Sequence, residues 1–190
     1  MKEVILASQS PRRKQLLEWA EVPFTVMVAN TDETYPPGLP VGEIPVFIAR
    51  EKAKTILQKI SREQLINCSV IAADTIVVLD NEILGKPDNR DHAIATIQKL
   101  SGRKHLVITG VVIIAGEKEI SFAETTEVEF HPLTDEEILF YVNKYQPYDK
   151  AGAYAIQEWI GVVGIKKING DFYNVMGLPV SRVIKALQNM

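Results

Sequence analysis

Two hydroxyls, a proline and two arginines follow the first apolar run of the chain, as Ser8, Ser10, Pro11, Arg12 and Arg13. Helical spacing of apolar residues begins directly after them, which makes Ser10 a suitable N-cap and Pro11 a suitable first helical residue. The N–H groups at a helix start and the positive end of its dipole attract anions. With two guanidinium groups beside them, this segment predicts an anion site, and phosphate fits the donors best. A capped helix with surface arginines is the alternative for this segment alone.

One carboxylate interrupts the apolar stretch at residues 70–79. Asp74 lies there among side chains that are nearly all apolar. Burying an unpaired carboxylate is costly, so a stable fold must give Asp74 a partner, a metal ion or a solvated cleft. A purely structural Asp74, satisfied by backbone N–H groups, is the alternative.

Further oxygen ligands are found in the loop after the second predicted strand, where Asp32 and Glu33 precede a pair of prolines. Together with Asp74, they could supply the hard oxygen ligands that Mg²⁺ or Mn²⁺ prefers. Magnesium typically takes one or two carboxylates and completes its shell with phosphate oxygens and water. An acidic loop pair taken alone is more often simply solvated.

Two lysines are candidates for neutralising an anionic ligand. Lys52 lies in line with Ile48 and Ile56 of a predicted helix, because the three residues are spaced by four. Its ammonium either extends to water, which is the commoner case, or points into a cleft. Lys86 lies in a constrained Gly-Lys-Pro turn shortly after the strand that contains Asp74.

A loop of small residues at 149–157 begins with an Asp-Lys pair and ends at Gln157. Small residues let a ligand approach the backbone closely, and a glutamine amide can both donate to and accept from the edge of a nucleobase. The candidate set is therefore rich in cations and carboxylates, without a nucleophilic Cys/His or Ser/His pairing. This balance favours water attack on a metal-bound polyphosphate and fits acyl transfer poorly.

Strand and helix signals alternate along the chain. We predict strands at residues 4–7, 24–28, 70–79, 82–84, 104–115 and 119–130, and helices at residues 11–20, 44–57, 88–100, 134–144 and 179–188. The pair Asn169-Gly170 predicts a hairpin turn between residues 161–168 and 172–173. This mixture predicts an α/β fold with a mixed, twisted sheet.

Composition limits the function further. A length of 190 residues predicts one domain over residues 1–190. A net charge of −3 argues against a stable nucleic-acid partner, and the apolar runs are too short to cross a membrane as helices. The single Cys68 excludes an internal disulfide, and with no signal peptide visible it predicts a cytoplasmic location.

The short motifs occur in one characteristic order along the chain. They are Ser8-x-Ser10-Pro11-Arg12-Arg13, Glu33, Glu51-Lys52-Ala53-Lys54, Ala73-Asp74-Thr75, Gly85-Lys86-Pro87, Asp149-Lys150-Ala151-Gly152-Ala153-Tyr154-x-Ile156-Gln157 and Gly177-Leu178-Pro179. Together these motifs resemble the Maf family of nucleoside triphosphate pyrophosphatases over essentially the whole chain.

The resemblance implies a fold similar to inosine triphosphate pyrophosphatases, with an elongated mixed sheet flanked by helices and two lobes around a central cleft. It implies hydrolysis of a nucleoside triphosphate to the monophosphate and pyrophosphate, with a divalent cation, Mg²⁺ or Mn²⁺. The family's proton acceptor falls on Asp74, and its substrate-discriminating positions fall on Arg12, Thr75 and Gln157. These residues are similar to those of the branch that acts on dTTP and UTP.

We expect the remaining candidates to share the work on the triphosphate. Glu33 joins Asp74 in holding the cation, while Lys52 and Lys86 offset phosphate charge as pyrophosphate leaves. The triphosphate contacts are assigned to Ser8, Ser10 and Arg13.

One departure from the family pattern concerns the segment after Gln157. Many relatives continue with Gly-x-Gly, whereas this chain has Glu158 and Trp159. A pyrophosphatase for 7-methyl-GTP or another modified nucleotide is therefore an alternative, and a non-enzymatic nucleotide-binding regulator of cell division is another. Relatives are often homodimers, and large aromatic residues such as Trp159 are candidates for either an interface or the core.

Overall fold

The computed structural model describes residues 3–28 and 30–190, and it confirms the predicted α/β class with a mixed sheet. Its strands are β1 (Glu3–Leu6), β2 (Phe24–Val26), β3 (Cys68–Leu79), β4 (Glu82–Leu84), β5 (Lys104–Ala115), β6 (Lys118–Phe130) and β7 (Ile165–Asn169). Its helices are α1 (Pro11–Trp19), α2 (Ile44–Leu57), α3 (Arg62–Asn67), α4 (Arg90–Leu100), α5 (Asp135–Tyr145), α6 (Trp159–Gly164), α7 (Phe172–Met176) and α8 (Val180–Gln188). Among the described residues, no helix has the length and apolar character needed to cross a membrane.

The strands form one sheet in the order β2-β1-β3-β5-β6-β7, and β4 pairs with β3. The chain also divides into two compact units. The first unit contains the described residues of Met1–Asp74 together with Thr109–Glu124 and Gly177–Met190. The second unit contains Thr75–Ile108 and Thr125–Met176.

In the first unit, β1 runs parallel to both β2 and β3, and Leu6 is level with Val26 and Ile71. Strand β1 then ends, while β3 continues through Asp74. The segment that opens α1 therefore leaves the sheet beside the continuing β3. Loops at the carboxyl ends of parallel strands are common places for ligand-binding residues.

Helix α2 packs on the sheet of the first unit through small side chains. Ala49 and Ala53 are fully buried in its core cluster, beside residues of β1, β3 and β5. At Gly110 of β5, a Cβ atom would collide with the backbone of Pro45 and Val46, so the start of α2 lies directly against the strand. This close approach positions Lys52, which lies about two helical turns further along α2.

Local signals predicted several helix starts correctly. The Ser10 side chain accepts from the backbone N–H of Arg13 at the start of α1, and Thr134 and Glu137 form the predicted capping box of α5. Helix α3 has a second capping box, between Ser61 and Gln64, which the sequence analysis missed.

The predicted hairpin at Asn169-Gly170 is wrong. Residues Trp159–Gly164 form helix α6, and β7 pairs antiparallel with β6 instead of with a strand after the turn. Beyond Gly170, Asp171 Oδ1 accepts from the backbone N–H of Tyr173 at 2.7 Å, as helix α7 begins. The edge of β6 provides the pairing partner of β7, so no strand is needed after the turn. The chain instead enters helix α7 there.

A buried aromatic cluster in the core of the second unit contains a titratable side chain. His105 Nε2 lies 2.8 Å from the hydroxyl of Tyr154, and the His105 ring stacks on Phe130 with centroids 5.4 Å apart. His105 Nδ1 is buried, and among the described atoms it has no hydrogen-bond partner. Burial lowers the pKa of His105 from 6.5 to about 4, so this side chain is neutral in the folded protein at neutral pH.

We predict that His105 contributes to loss of stability in acid. Between pH 6.5 and pH 4 the unfolded chain binds a proton at His105 that the folded protein does not, so the free energy of unfolding falls as pH falls. The full loss of free energy of unfolding that His105 causes, reached below pH 4, is about 3 kcal/mol. Urea unfolding measures the free energy of unfolding across this pH range. It should fall less steeply with decreasing pH in His105→Gln than in wild type, because the variant lacks the one proton that unfolding takes up at His105. Parallel pH dependence in the two proteins would contradict the prediction.

Candidate active site

Lys52 and two carboxylates form the centre of the candidate site in the first unit. Lys52 Nζ donates to Asp74 Oδ1 at 2.7 Å and to Glu33 Oε1 at 2.8 Å. Lys52 comes from α2, Asp74 from β3, and Glu33 from the loop after β2. Three predicted residues from three segments of the chain thus meet at one ammonium group.

The surroundings make this ion cluster strong. Only 12% of the Lys52 side chain and 11% of the Asp74 side chain are exposed, whereas 44% of the Glu33 side chain is exposed. Charges with little access to water interact more strongly than surface charges. The structure therefore selects between the sequence-based alternatives: Lys52 points to the carboxylates rather than to water, and the partner of Asp74 is a cation.

Arg13 lies buried beside this cluster and bonds to the protein. Its Nε donates to the carbonyl oxygen of Gly177 at 2.7 Å. Its Nη1 donates to the carbonyl oxygen of Ala73 at 2.8 Å and to the hydroxyl of Ser8 at 3.2 Å. Arg13 thus joins three segments of the first unit and holds the main chain immediately before Asp74.

Arg13 also contributes charge to the site. Burial lowers the pKa of the Arg13 guanidinium, while the negative charges of Asp74 and Glu33 raise it and the charge of Arg12 lowers it. Since an arginine side chain keeps its proton in proteins, this part of the site contains two cations, the buried Arg13 and the half-buried Lys52, with two carboxylates.

The serines predicted to contact phosphate have defined local roles. Ser8 is buried, and its hydroxyl accepts from the backbone N–H of Ser10 at 3.2 Å as well as from Arg13. Ser10 is the N-cap of α1. Arg12 lies half-buried on the first turn of the same helix.

The other predicted site residues, Thr75, Lys86 and Gln157, belong to the second unit. Thr75 is half-buried in β3, whereas Lys86 and Gln157 are exposed in loops. The backbone N–H of Gly152 donates to the carbonyl oxygen of Gly85 at 3.1 Å. This bond places the Gly-Lys-Pro turn beside the loop of small residues that leads to Gln157.

The sequence analysis missed the role of Tyr141. This buried side chain of α5 donates from its hydroxyl to Glu158 Oε2 at 2.6 Å and accepts from the backbone N–H of Ala155 at 3.2 Å. Lys150 Nζ lies 3.5 Å from Glu158 Oε1. In the sequence, Glu158 stands out only as a departure from the family pattern, and no residue pattern near Tyr141 predicts this contact.

Carboxylates held on the half-buried ammonium of Lys52, with the buried guanidinium of Arg13 beside them, are suited to a phosphorylated ligand and its counterion. The fold and this cluster therefore define an α/β protein with the site of an enzyme acting on phosphate esters or anhydrides.

The comparisons with known proteins name the family. The model described as "Maf-like protein" matches residues 3–190, and the chain belongs to this family. A dTTP/UTP pyrophosphatase of Cytophaga hutchinsonii is 50% identical over 99% of this chain and 84% of its own length. The dTTP/UTP pyrophosphatase of Bacteroides thetaiotaomicron is 46% identical over 99% of this chain and 96% of its own length. Among solved structures, the Ham1 protein of Staphylococcus aureus matches with a TM-score of 0.48 and 16% identity, over 99% of this chain and 98% of that one.

We predict that Arg13→Lys lowers the free energy of unfolding by about 2–3 kcal/mol. One ammonium cannot reproduce the donors that the guanidinium directs to Gly177, Ala73 and Ser8. Urea denaturation measures the loss, and the exposed Arg62→Lys is the matched control, expected within about 0.5 kcal/mol of wild type. Equal losses in the two variants would show that the buried bonds of Arg13 contribute nothing specific.

Proposed function

We propose that this protein hydrolyses dTTP and UTP to the nucleoside monophosphate and pyrophosphate. The observation that carries the proposal is the convergence of Glu33 and Asp74 on Lys52, at 2.8 Å and 2.7 Å. Relatives that are 46–50% identical over nearly the whole chain are named dTTP/UTP pyrophosphatases. The carboxylate and cation set supplies the groups that such a reaction requires.

A divalent cation is part of the proposal, and the donor set fits one. Two carboxylate oxygens already accept from a single ammonium nitrogen, so the pair is arranged to share a positive charge. One or two carboxylates, completed by phosphate oxygens and water, are typical of magnesium sites, and Mn²⁺ accepts the same ligands. Glu33 and Asp74 would hold the ion. When bound, the cation would offset negative charge on the triphosphate.

Asp74 is the proposed proton acceptor. Its bond to Lys52 orients the carboxylate, which takes a proton from the attacking water. The water oxygen bonds to the α-phosphorus, the bond from that phosphorus to the bridging oxygen breaks, and pyrophosphate leaves with the electron pair. Lys52 and Lys86 offset the charge that builds up on the leaving group. A contact between the phosphates and Arg13, Ser8 or Ser10 stays a prediction.

Recognition of the base is assigned to Gln157, with Thr75 and Arg12 as further discriminating residues. Gln157 is exposed at the end of its loop, where its amide can donate and accept toward uracil or thymine. The 7-methyl-GTP alternative rests on Glu158 and Trp159, which depart from the family pattern next to Gln157. Glu158 bonds to Tyr141, however, and the Trp159 ring packs on Phe140 with centroids 4.8 Å apart. Both side chains thus have partners within the protein, and the names of the relatives support the dTTP and UTP assignment.

The remaining expectations are tested by one assay and two physical measurements. Pyrophosphate release from dTTP, UTP, CTP and 7-methyl-GTP under Mg²⁺ or Mn²⁺ separates the proposed activity from the modified-nucleotide alternative. Binding of UTP without turnover would instead indicate a nucleotide-binding regulator. The formation of a homodimer stays a prediction, which light scattering tests. The cytoplasmic location also stays a prediction, which cell fractionation tests.

We predict that Asp74→Asn lowers kcat by at least about 100-fold, because an amide cannot take the proton from water. The amide oxygen can still accept from Lys52, so the variant should fold and bind UTP. The measurement is pyrophosphate release together with thermal unfolding.

Asp91→Asn is the matched control for this experiment. Asp91 is exposed on α4 and belongs to no part of the candidate site, so its substitution should leave kcat within about twofold of wild type. A folded Asp74→Asn protein that retains wild-type turnover would refute the assignment of Asp74.

We predict that Gln157→Ala raises KM for UTP about tenfold or more while leaving kcat nearly unchanged, since the amide contacts the base and not the reacting phosphorus. Steady-state kinetics with UTP and CTP measure the effect, and the exposed Gln188→Ala on α8 serves as control. An unchanged preference for UTP over CTP would remove Gln157 from base recognition.

A further inference from the structure

The side chain of Glu158 is directed into the protein. Its Oε2 accepts from the hydroxyl of Tyr141 at 2.6 Å, and its Oε1 lies 3.5 Å from Lys150 Nζ. Tyr141 and Lys150 are both buried. The short bond from the Tyr141 hydroxyl to a carboxylate is strong and directional, and the Lys150 ammonium lies within ion-pair distance of the same carboxylate.

The same tyrosine hydroxyl also holds the chain on the other side of Gln157. It accepts from the backbone N–H of Ala155 at 3.2 Å, so it bonds both two residues before and one residue after Gln157. Lys150 Nζ lies 2.7 Å from Asp149 Oδ1 as well, which ties the start of the loop to the same group of charges. We call Tyr141, Lys150 and Glu158 the Glu158 clamp.

The main chain around Gln157 is closely packed. The backbone N–H of Glu158 donates to the carbonyl oxygen of Ala155 at 3.1 Å, and that of Gly161 donates to Glu158 at 2.9 Å. A Cβ atom at Gly161 would collide with the carbonyl oxygen of Ile156. Within residues 152–160, Gln157 is the only exposed residue. The loop thus presents one polar side chain on a fixed backbone.

We propose that the Glu158 clamp sets nucleobase selectivity by holding the turn that presents Gln157, so that Glu158 and Tyr141 are positioning residues. This inference rests on the proposed function. Uracil and thymine present a carbonyl oxygen and a ring N–H where cytosine presents an amino group and a bare ring nitrogen. A glutamine on a mobile loop can adjust to either pattern, whereas a glutamine on a held backbone favours one of them.

The first test compares Tyr141→Phe, Glu158→Ala and Glu158→Gln. Tyr141→Phe keeps the ring that stacks on Tyr145 and removes the hydroxyl. For Tyr141→Phe and Glu158→Ala, we expect the ratio of kcat/KM for UTP over CTP to fall about tenfold, through KM, with kcat for UTP within about twofold of wild type. Glu158→Gln keeps an oxygen acceptor for Tyr141 and should retain most of the selectivity.

The matched control is Glu136→Gln, an exposed glutamate on the same helix as Tyr141, which should leave the ratio unchanged. An unchanged ratio in both Tyr141→Phe and Glu158→Ala would overturn the proposal. An equal loss in Glu158→Gln and Glu158→Ala would also overturn it, because the acceptor oxygen would then have no role.

The second test does not depend on activity. Amide hydrogen exchange at residues 155–158 should be about tenfold faster in Tyr141→Phe than in wild type, and unchanged in Glu136→Gln. Unchanged exchange in Tyr141→Phe would overturn the clamp. If the wild-type protein hydrolysed neither dTTP nor UTP, the proposed function and the role in selectivity would fail together, and exchange would still decide whether the clamp holds the Gln157 turn.

Discussion

The candidate site depends on one ammonium group that two carboxylates share. Asp74 interrupts an otherwise apolar strand, and the fold accommodates its charge because Lys52 reaches it from α2. Helix α2 can deliver that lysine because its alanines and the bare backbone at Gly110 let it pack closely on the sheet. The packing of small residues and the chemistry of the site are therefore parts of one arrangement.

Arg13 shows how the first unit stabilises a charged side chain in its interior. Its guanidinium donates to the backbone carbonyls of Gly177 and Ala73 and to the hydroxyl of Ser8. A buried charge is tolerable when its hydrogen-bonding groups are satisfied, and Arg13 meets that condition while it holds the chain before Asp74. It serves as a support of the Asp74 segment, and its positive charge is available to the site as well.

The second unit follows a different principle. Its loops are held mainly by backbone hydrogen bonds and by polar groups buried against α5, and they leave Lys86 and Gln157 exposed. In the first unit Glu33 and Asp74 meet at Lys52, whereas in the second unit the main chain around Gln157 is hydrogen-bonded and leaves this side chain exposed.

Residue types and spacing alone pointed to the candidate residues for the chemistry and to the positions of most helices and strands. The helical spacing of apolar residues in α2 and the long apolar run of β5 are local signals, and α2, β4 and β5 have the predicted bounds. The Asn169-Gly170 pair predicted a hairpin that does not form, since β7 pairs with the edge of β6. The direction of Lys52, the bonds of Arg13 and the partners of Glu158 follow from the three-dimensional packing. Each of these depends on groups distant in sequence whose approach is set by packing, which local residue patterns do not encode.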